Sequence, residues 1–365
     1  MNAVLSRHRH LDEMAPWNDR LQVLEVIGVT DEAPGVKTFA FRAEADGWFR
    51  YRPGQFVTLE LPTPDGPLLR TYTLSSSPSR PFAIAVTVKV QADSLGTRWM
   101  FEHLTPGMRL RAHGPAGQFS HLDHPAQKYL FVSAGSGVTP MMSMLRWMED
   151  CAPGTDVTFV HCARRPDDII FRRELELLSA RMPHLALGFV VEEKQHGAAW
   201  PGLTGRLDPV RLQLLCPDFA EREVFCCGPD PFMRGVRDIL KNLRADPARF
   251  HSESFGAPPL EIVPPPFADA PPPADRHEAA APVRFVLSNA EAMAEPGQTL
   301  LQAARACGVR IPAACEFGLC GTCKVKKVAG AVEMSHNGGI LDREIDEGFV
   351  LACCSRPLGP VEIEA

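Results

Sequence analysis

The stretch Lys128–Met148, KYLFVSAGSGVTPMMSMLRWM, decides the architecture. Tyr129–Ser133 reads as a buried strand. Gly135 and Gly137 make a turn, and Pro140–Met148 reads as a helix, because proline is well suited to a first helical turn. Met141, Met144, Leu145 and Met148 fall on one helix face and read as core. Downstream, Val157–Cys162 reads as a strand, Phe171–Ala180 as a helix and Val224–Cys227 as a strand. Strand and helix alternating in this way predict a parallel α/β sheet over Lys128–Gly256.

Upstream of this unit the pattern changes. Between Leu21 and His113 come the short alternating segments Leu21–Val29, Lys37–Phe41, Gln55–Leu61, Ala83–Val90 and Arg109–Ala112, separated by turn signals. They predict an antiparallel barrel. Downstream, nine prolines lie between Ala257 and Pro282. Such a stretch favours extended polyproline II over helix or central strand. It reads as a semi-rigid linker reaching up to ~80 Å at ~3.1 Å per residue. Beyond it, Val283, Phe285 and Leu287 alternate as a strand. Thr299-x-x-Gln302 is a capping box that opens a helix ending at Gly308. The expected division is an N-terminal extension 1–20, a barrel domain 21–124, an α/β domain 125–256, a linker 257–282 and a C-terminal domain 283–365.

Composition bounds the chemistry. At roughly 150 residues per domain, 365 residues make two or three domains. Apolar residues make up 45%, yet no run approaches the ~20 residues needed to cross a bilayer. Residues 1–20 show no apolar signal core, so the expected location is cytoplasmic and away from membranes. A formal net charge of −6 without a long basic run argues against nucleic acid as a partner. Eleven cysteines in such a chain favour metal or redox chemistry over a disulfide framework.

Those cysteines carry the sharpest motif. Cys315-x4-Cys320-x2-Cys323, followed by Cys353, has the plant-type spacing of a 2Fe–2S cluster held by four thiolates. Gly318 and Gly321 let the backbone wrap closely and aim N–H groups at sulfur. Zinc is the rival, but four-cysteine zinc sites usually present two C-x-x-C pairs, and only Cys320/Cys323 makes one here. Cys353 and Cys354 point opposite ways in an extended segment, and Cys353 is the expected fourth ligand. Cys307, Cys151, Cys162, Cys216 and Cys226 read as core residues.

Arg70-Thr71-Tyr72-Thr73, Gly135-Ser136-Gly137-Val138-Thr139-Pro140, Cys227-Gly228-Pro229 and the cysteine set occur in one order. From about Leu21 onward the chain resembles ferredoxin–NADP reductase-like flavoproteins with a plant-type ferredoxin domain fused at the C-terminus. The resemblance implies a flavin-binding antiparallel β-barrel, an NAD(P)-binding parallel α/β domain and a β-grasp 2Fe–2S domain. It implies that Arg70 meets the flavin pyrophosphate, a charged fork against phosphate oxygens. Tyr72 would pack on the flavin, with the Thr73 hydroxyl near its redox-active nitrogen, and Thr71 is counted with them as cofactor-binding. Val88 and Lys89 match the strand lining the flavin's phosphate chain, and Gly96-Thr97 a helix start offering N–H groups to it. Gly114-Pro115-Ala116-Gly117-Gln118-Phe119 resembles the form in FAD-binding members, whereas FMN-binding relatives tend to carry Asn at Gly117.

On the nucleotide side, Gly135, Gly137, Thr139 and Pro140 match the pyrophosphate turn. Cys227, Gly228 and Pro229 match the segment beside the nicotinamide carbon that gives up hydride. Glu253 and Phe255 match the segment closing over the flavin. Catalytic roles fall to Cys227, Thr73 and Glu253. The tip of the second strand carries Arg164 and Arg165 and neither Asp nor Glu. Two arginines suit a 2′-phosphate, yet NADH-using relatives also carry one there. NADH is the expected coenzyme, with NADPH the alternative.

The implied function is a reductase that passes electrons from NAD(P)H through FAD and the 2Fe–2S cluster to a partner oxygenase. Final oxidation is not expected here, since the sequence shows no C-x-H…C-x-x-H Rieske spacing. Tyr72–Pro78 and Gly137–Met144 resemble two reductase groups, one serving Rieske-type monooxygenases that demethylate quaternary amines such as glycine betaine and stachydrine and one serving the hybrid-cluster protein, and Gly96–Met100 favours the first. Reductases of the hybrid-cluster protein and of phenylacetyl-CoA epoxidase-type oxygenases are the alternatives. A different class, a ferredoxin-like carrier whose reductase half is only a scaffold, would give no NADH-driven cytochrome c reduction.

Overall fold

The computed structural model describes residues 15–17, 22–44, 47–64, 66–92, 94–194, 199–255, 280–313, 318, 321, 323–336, 339–340 and 342–365. The chain forms two compact units divided between Gly256 and Ala257. Most of the proline-rich segment lies outside the described residues.

The first unit opens with a barrel. Strands β1 (Gln22–Ala33), β2 (Val36–Ala43), β3 (Phe56–Thr63), β4 (Gly66–Thr73), β5 (Ile84–Lys89) and β6 (Arg109–Ala116) make one antiparallel sheet in the order β4-β3-β6-β1-β2-β5. A bridge between Leu74 and Val86 joins the two edge strands and closes the sheet. Closure removes the unpaired edges that an open sheet would expose. The alternation in sequence becomes an inside and an outside. Phe39, Phe41, Leu59, Leu61 and Val86 are fully buried within, each worth about 1.5–3 kcal/mol of apolar burial. The helix start expected at Gly96-Thr97 opens α1 (Leu95–His103), which begins at the Ser94 cap and sends Trp99 and Met100 into this core. Part of the expected N-terminal extension is paired, for Ala15–Trp17 runs parallel to Gly47–Phe49.

The α/β half follows as β7 (Lys128–Ala134), α2 (Val138–Cys151), β8 (Asp156–Ala163), α3 (Arg172–Arg181), β9 (Leu185–Val191), β10 (Leu203–Thr204), α4 (Pro209–Leu215), β11 (Glu223–Cys227), α5 (Asp230–Asn242) and β12 (Phe250–Glu253). The sheet is wholly parallel, ordered β10-β9-β8-β7-β11-β12. Strand order therefore reverses between β7 and β11, the point where open α/β sheets form a ligand crevice. Helix α2 begins at Val138, two residues before Pro140. Proline lacks only an N–H that the first turn leaves unpaired anyway. Phe171 precedes α3 rather than opening it and holds a left-handed φ of 58°. Cys151 is exposed and not a core residue, because it sits at the solvent end of α2.

The second unit contains β13 (Ala281–Phe285), β14 (Ala290–Ala294), α6 (Leu300–Ala306), β15 (Lys324–Ala329), β16 (Val332–Met334), α7 (Asp342–Asp346), β17 (Phe349–Leu351), β18 (Ser355–Pro357) and β19 (Val361–Glu364). Its main sheet is ordered β14-β13-β19-β15-β17, with β13 and β19 parallel and the other neighbours antiparallel. Helix α6 packs Leu300, Leu301, Ala303 and Ala304 into the sheet's core, the β-grasp arrangement. The Thr299/Gln302 capping box is formed. Leu287 lies past the end of β13 and is exposed, so the expected strand stops one alternation earlier.

Candidate functional site

The barrel carries the first group of candidate residues at the end of β4. Arg70 pairs in register with Leu59, Thr71 with Thr58, Tyr72 with Val57 and Thr73 with Phe56. Gly96, in the first turn of α1, lies against Arg70. A Cβ there would sit 2.9 Å from Arg70 Cγ, so only glycine lets the helix start come this close. The helix N-terminus and the guanidinium thus converge, a ready site for a pyrophosphate. Tyr72 brings a buried hydroxyl that has no hydrogen-bond partner among the described residues. Burial raises its pKa, so the phenol keeps its proton. Thr73 is buried at the end of the strand.

Other members of the expected flavin set differ in detail. The Thr71 hydroxyl pairs with that of Thr58 at 3.1 Å. The Thr97 hydroxyl closes its own turn, receiving the Gln91 N–H at 3.1 Å. Val88 is buried in the barrel core. Gly117 has φ +110°, and a Cβ there would strike the Phe56 ring at 2.8 Å. A side chain such as Asn would be strained there and would require the Phe56 ring to move. The orphaned phenol and the cradle at Gly96 fit a flavin dinucleotide.

The second group gathers at the carboxyl edge of the parallel sheet, across the switch point. A Cβ on Gly137 would lie 2.1 Å from the Cys227 carbonyl oxygen. The glycine turn after β7 is therefore pressed against the Cys227-Gly228 backbone after β11. The Thr139 hydroxyl donates to the Ser136 carbonyl at 3.0 Å and steadies this turn, while Pro140 is buried in α2. Pro229 caps the N-terminus of α5. Register places Glu253, Cys227, Ser133 and His161 side by side on four adjacent strands. All four are buried.

Two atoms of this row stand out. Glu253 Oε2 and His161 Nε2 have no hydrogen-bond partner among the described residues. Burial pushes the Glu253 carboxyl up to about 8, so it is a neutral acid at neutral pH. Burial, with the Glu253 charge beside it, raises the Cys227 thiol well above its ordinary value. Cys227 is thus a thiol, not a nucleophilic thiolate. Burial and then Lys89 hold His161 down to about 3, so it is neutral, with Nδ1 bonded to the Ser133 hydroxyl at 2.8 Å. Phe255 is 46% exposed, two residues beyond Glu253.

The tip of β8 was read from sequence as lacking a carboxylate, and the fold supplies two from the next strand. The N–H groups of Glu192 and Glu193 donate to the Ala163 and Arg164 carbonyls, each at 3.0 Å. Arg165 Nε then meets Glu193 at 2.9 Å, and Arg206 meets Glu192 at 3.5 Å. Reading β9 as a strand would have exposed this pair. Ser133 and His161 were also missed, because a lone polar residue in an apolar run carries no register information.

In the second unit, Cys323 and Cys353 are buried neighbours, and the Cys353 N–H points at Cys323 Sγ from 3.4 Å. Such N–H···S contacts are typical of cluster-holding thiolates. Cys354 Sγ instead contacts the Leu351 carbonyl at 3.7 Å. Gly318 and Gly321 have φ of +76° and +71°. A Cβ on Gly321 would lie 2.7 Å from the Gly339 carbonyl oxygen. Cys315 and Cys320 lie outside the described residues. The paired thiols and glycine wrap fit an iron–sulfur cluster.

Family models match all three parts of the chain. An oxidoreductase FAD-binding domain matches residues 24–121, an oxidoreductase NAD-binding domain 131–238, and a 2Fe-2S iron-sulfur cluster binding domain 286–358. The chain is 49% identical over 355 residues to the stachydrine N-demethylase reductase subunit of Rhizobium meliloti, covering 97% of this chain and 99% of that one. It is 43% identical over 356 residues to the glycine betaine monooxygenase reductase subunit of Pseudomonas aeruginosa, covering 95% and 96%. The crystal structure of phthalate dioxygenase reductase shares the fold, with a TM-score of 0.58 at 21% identity over 95% of this chain and 98% of that chain. The three matched domains, together with relatives up to 49% identical that the chain covers almost end to end, place this chain in the family of FAD- and 2Fe–2S-containing NAD(P)H-dependent oxygenase reductases.

Proposed function

We propose that the chain is the reductase component of a Rieske-type monooxygenase that demethylates a quaternary amine, with NADH as its electron source. The observation that carries this reading is the 49% identity, across nearly both full lengths, to a stachydrine N-demethylase reductase subunit. When bound, FAD supplies the chemistry that accepts a hydride and releases electrons singly, and the cluster supplies the one-electron outlet. The protein holds these groups in line.

In this reading Arg70 and the α1 N-terminus at Gly96 and Thr97 hold the flavin pyrophosphate, and Tyr72 and Thr73 bound the ring. Gly135, Gly137, Thr139 and Pro140 form the dinucleotide turn. Cys227, Gly228 and Pro229 shape the nicotinamide seat, where the neutral Cys227 thiol orients without attacking. Glu253 keeps a proton at a carboxyl facing the same crevice. Cys315, Cys320, Cys323 and Cys353 are the four cluster ligands. The Arg165–Glu193 and Arg206–Glu192 pairs favour NADH, because a dianionic 2′-phosphate would enter beside two carboxylates.

The test is electron flow in the full chain. Cys320→Ser should abolish NADH-driven cytochrome c reduction yet keep NADH-to-ferricyanide activity, since ferricyanide accepts from flavin. Adding a candidate Rieske oxygenase should give NADH-dependent demethylation of stachydrine or glycine betaine. Loss of both dye activities in Cys320→Ser would refute the electron path. Turnover with neither amine, beside an intact path, would refute the partner.

A further inference from the structure

Helix α2 touches both cofactor sites. Its first residue follows Gly137, which abuts the Cys227 backbone. Ser143 and Arg146, three residues apart, lie on one face of the helix. Ser143 Oγ donates to the Ser76 carbonyl at 2.7 Å, and Arg146 Nη1 donates to the Ser75 carbonyl. These are consecutive carbonyls just past Thr73, where β4 ends. The helix that presents the nucleotide turn is thereby fastened to the segment that ends the flavin strand.

Both ends of this fastening are rigid. On the barrel side, the Ser75 N–H donates to the Ala85 carbonyl at 2.8 Å, and the Ser75 hydroxyl pairs with that of Thr87 at 2.9 Å. The Ser76 hydroxyl receives the Ala85 N–H at 3.0 Å and pairs with the Tyr51 hydroxyl at 2.7 Å. On the helix side, Arg146 is gripped by Glu174 through two parallel bonds of 2.6 Å. Its guanidinium also lies over the Phe171 ring, 4.8 Å from the centroid. A bidentate, largely buried guanidinium in this setting has one orientation to offer. At the far end of α2, Arg80 grips Asp150 through two bonds of 2.9 and 2.8 Å and meets Glu149 at 3.4 Å, but its side chain is 59% exposed. Solvent screens such a pair, so it holds the helix less firmly than the buried Ser143 and Arg146 contacts.

We propose that Ser143 and Arg146 are positioning residues for hydride transfer, fixing the separation between the nucleotide turn at Gly135–Gly137 and the flavin strand at Arg70–Thr73. The proposal rests on reading those two segments as the cofactor sites. Reacting atoms must come within about 3–3.5 Å, and a misplacement of about 1 Å can cost on the order of 10²-fold in rate. A helix free to slide along the barrel would lose that registration without losing either binding site.

The experiment uses the full-length flavoprotein under anaerobic conditions and follows flavin bleaching on rapid mixing with NADH. Ser143→Ala and Arg146→Gln should each lower the saturating bleaching rate by about tenfold or more. The NADH concentration for half-maximal rate should move less than about threefold, and 4-deuterated NADH should still slow the reaction. Flavin content should hold, and Arg80→Ala should lower the rate less than either of these variants. Wild-type rates in both Ser143→Ala and Arg146→Gln overturn the proposal. So does a Ser143→Ala protein that loses flavin or melting temperature in step with rate, because the role is then only structural. A rise in half-saturating NADH without a fall in rate also overturns it. Wild-type protein that NADH does not bleach refutes the underlying cofactor reading, and the proposal falls with it.

Discussion

Replacing Glu253 with Gln removes a carboxyl that the fold keeps neutral at a cost. The group pairs in register with Cys227, is 7% exposed and has Oε2 without a partner among the described residues. Desolvation lifts it from 4.5 to about 8. Each unit is worth 1.36 kcal/mol, so the full rise amounts to about 5 kcal/mol. Between these values the folded protein binds a proton that the unfolded chain has released. Stability therefore falls with rising pH, by about 1.4 kcal/mol per unit from near 4.5, and levels off above about 8. Below 4.5 both states are protonated and the dependence vanishes. Glu253→Gln carries no such titration. The assay is urea unfolding of the flavin-loaded protein at half-unit pH steps, read by release of flavin fluorescence. The gap between variant and wild type should shift in the variant's favour from pH 5 to 8 and then stay constant. The rate of flavin reduction should lose, in the variant, any inflection that wild type shows near pH 8. Stability profiles that run parallel from pH 5 to 9 would refute the desolvation argument.

Two further outcomes are expected. Cys353→Ser should lose the cluster's visible absorbance and Cys354→Ser should keep it, because the Cys353 N–H faces Cys323 while Cys354 is turned to the Leu351 carbonyl; iron content and absorbance spectra check this. Glu192→Ser/Glu193→Ser should raise kcat/KM for NADPH by about tenfold, as expected for removing about 1.4 kcal/mol of repulsion from a 2′-phosphate, and leave NADH within about threefold; steady-state ferricyanide reduction with each coenzyme checks it.

The sequence alone settled the local matters. Alternation at period two made barrel strands, and Phe39, Phe41, Leu59 and Leu61 went inside as that period required. The glycine turn after β7 and the capping box at Thr299 were legible because each is a short-range backbone requirement met by a few residues. The cysteine spacing was legible for the same reason, since three of the four expected ligands fall between Cys315 and Cys323 in sequence. Tertiary structure decided everything that depends on which strand lies beside which. Register alone brought Glu253, Cys227, Ser133 and His161 into one buried row, from positions spread over 120 residues. It put Glu193 against Arg165, reversing the sequence impression of a tip without acid. It set Ser143 and Arg146 on carbonyls sixty-seven and seventy-one residues away. Strand order and interdomain packing are long-range choices that no local propensity encodes. A carboxyl's pKa and a helix's anchorage follow from those neighbours, and so they could be read only from the folded chain.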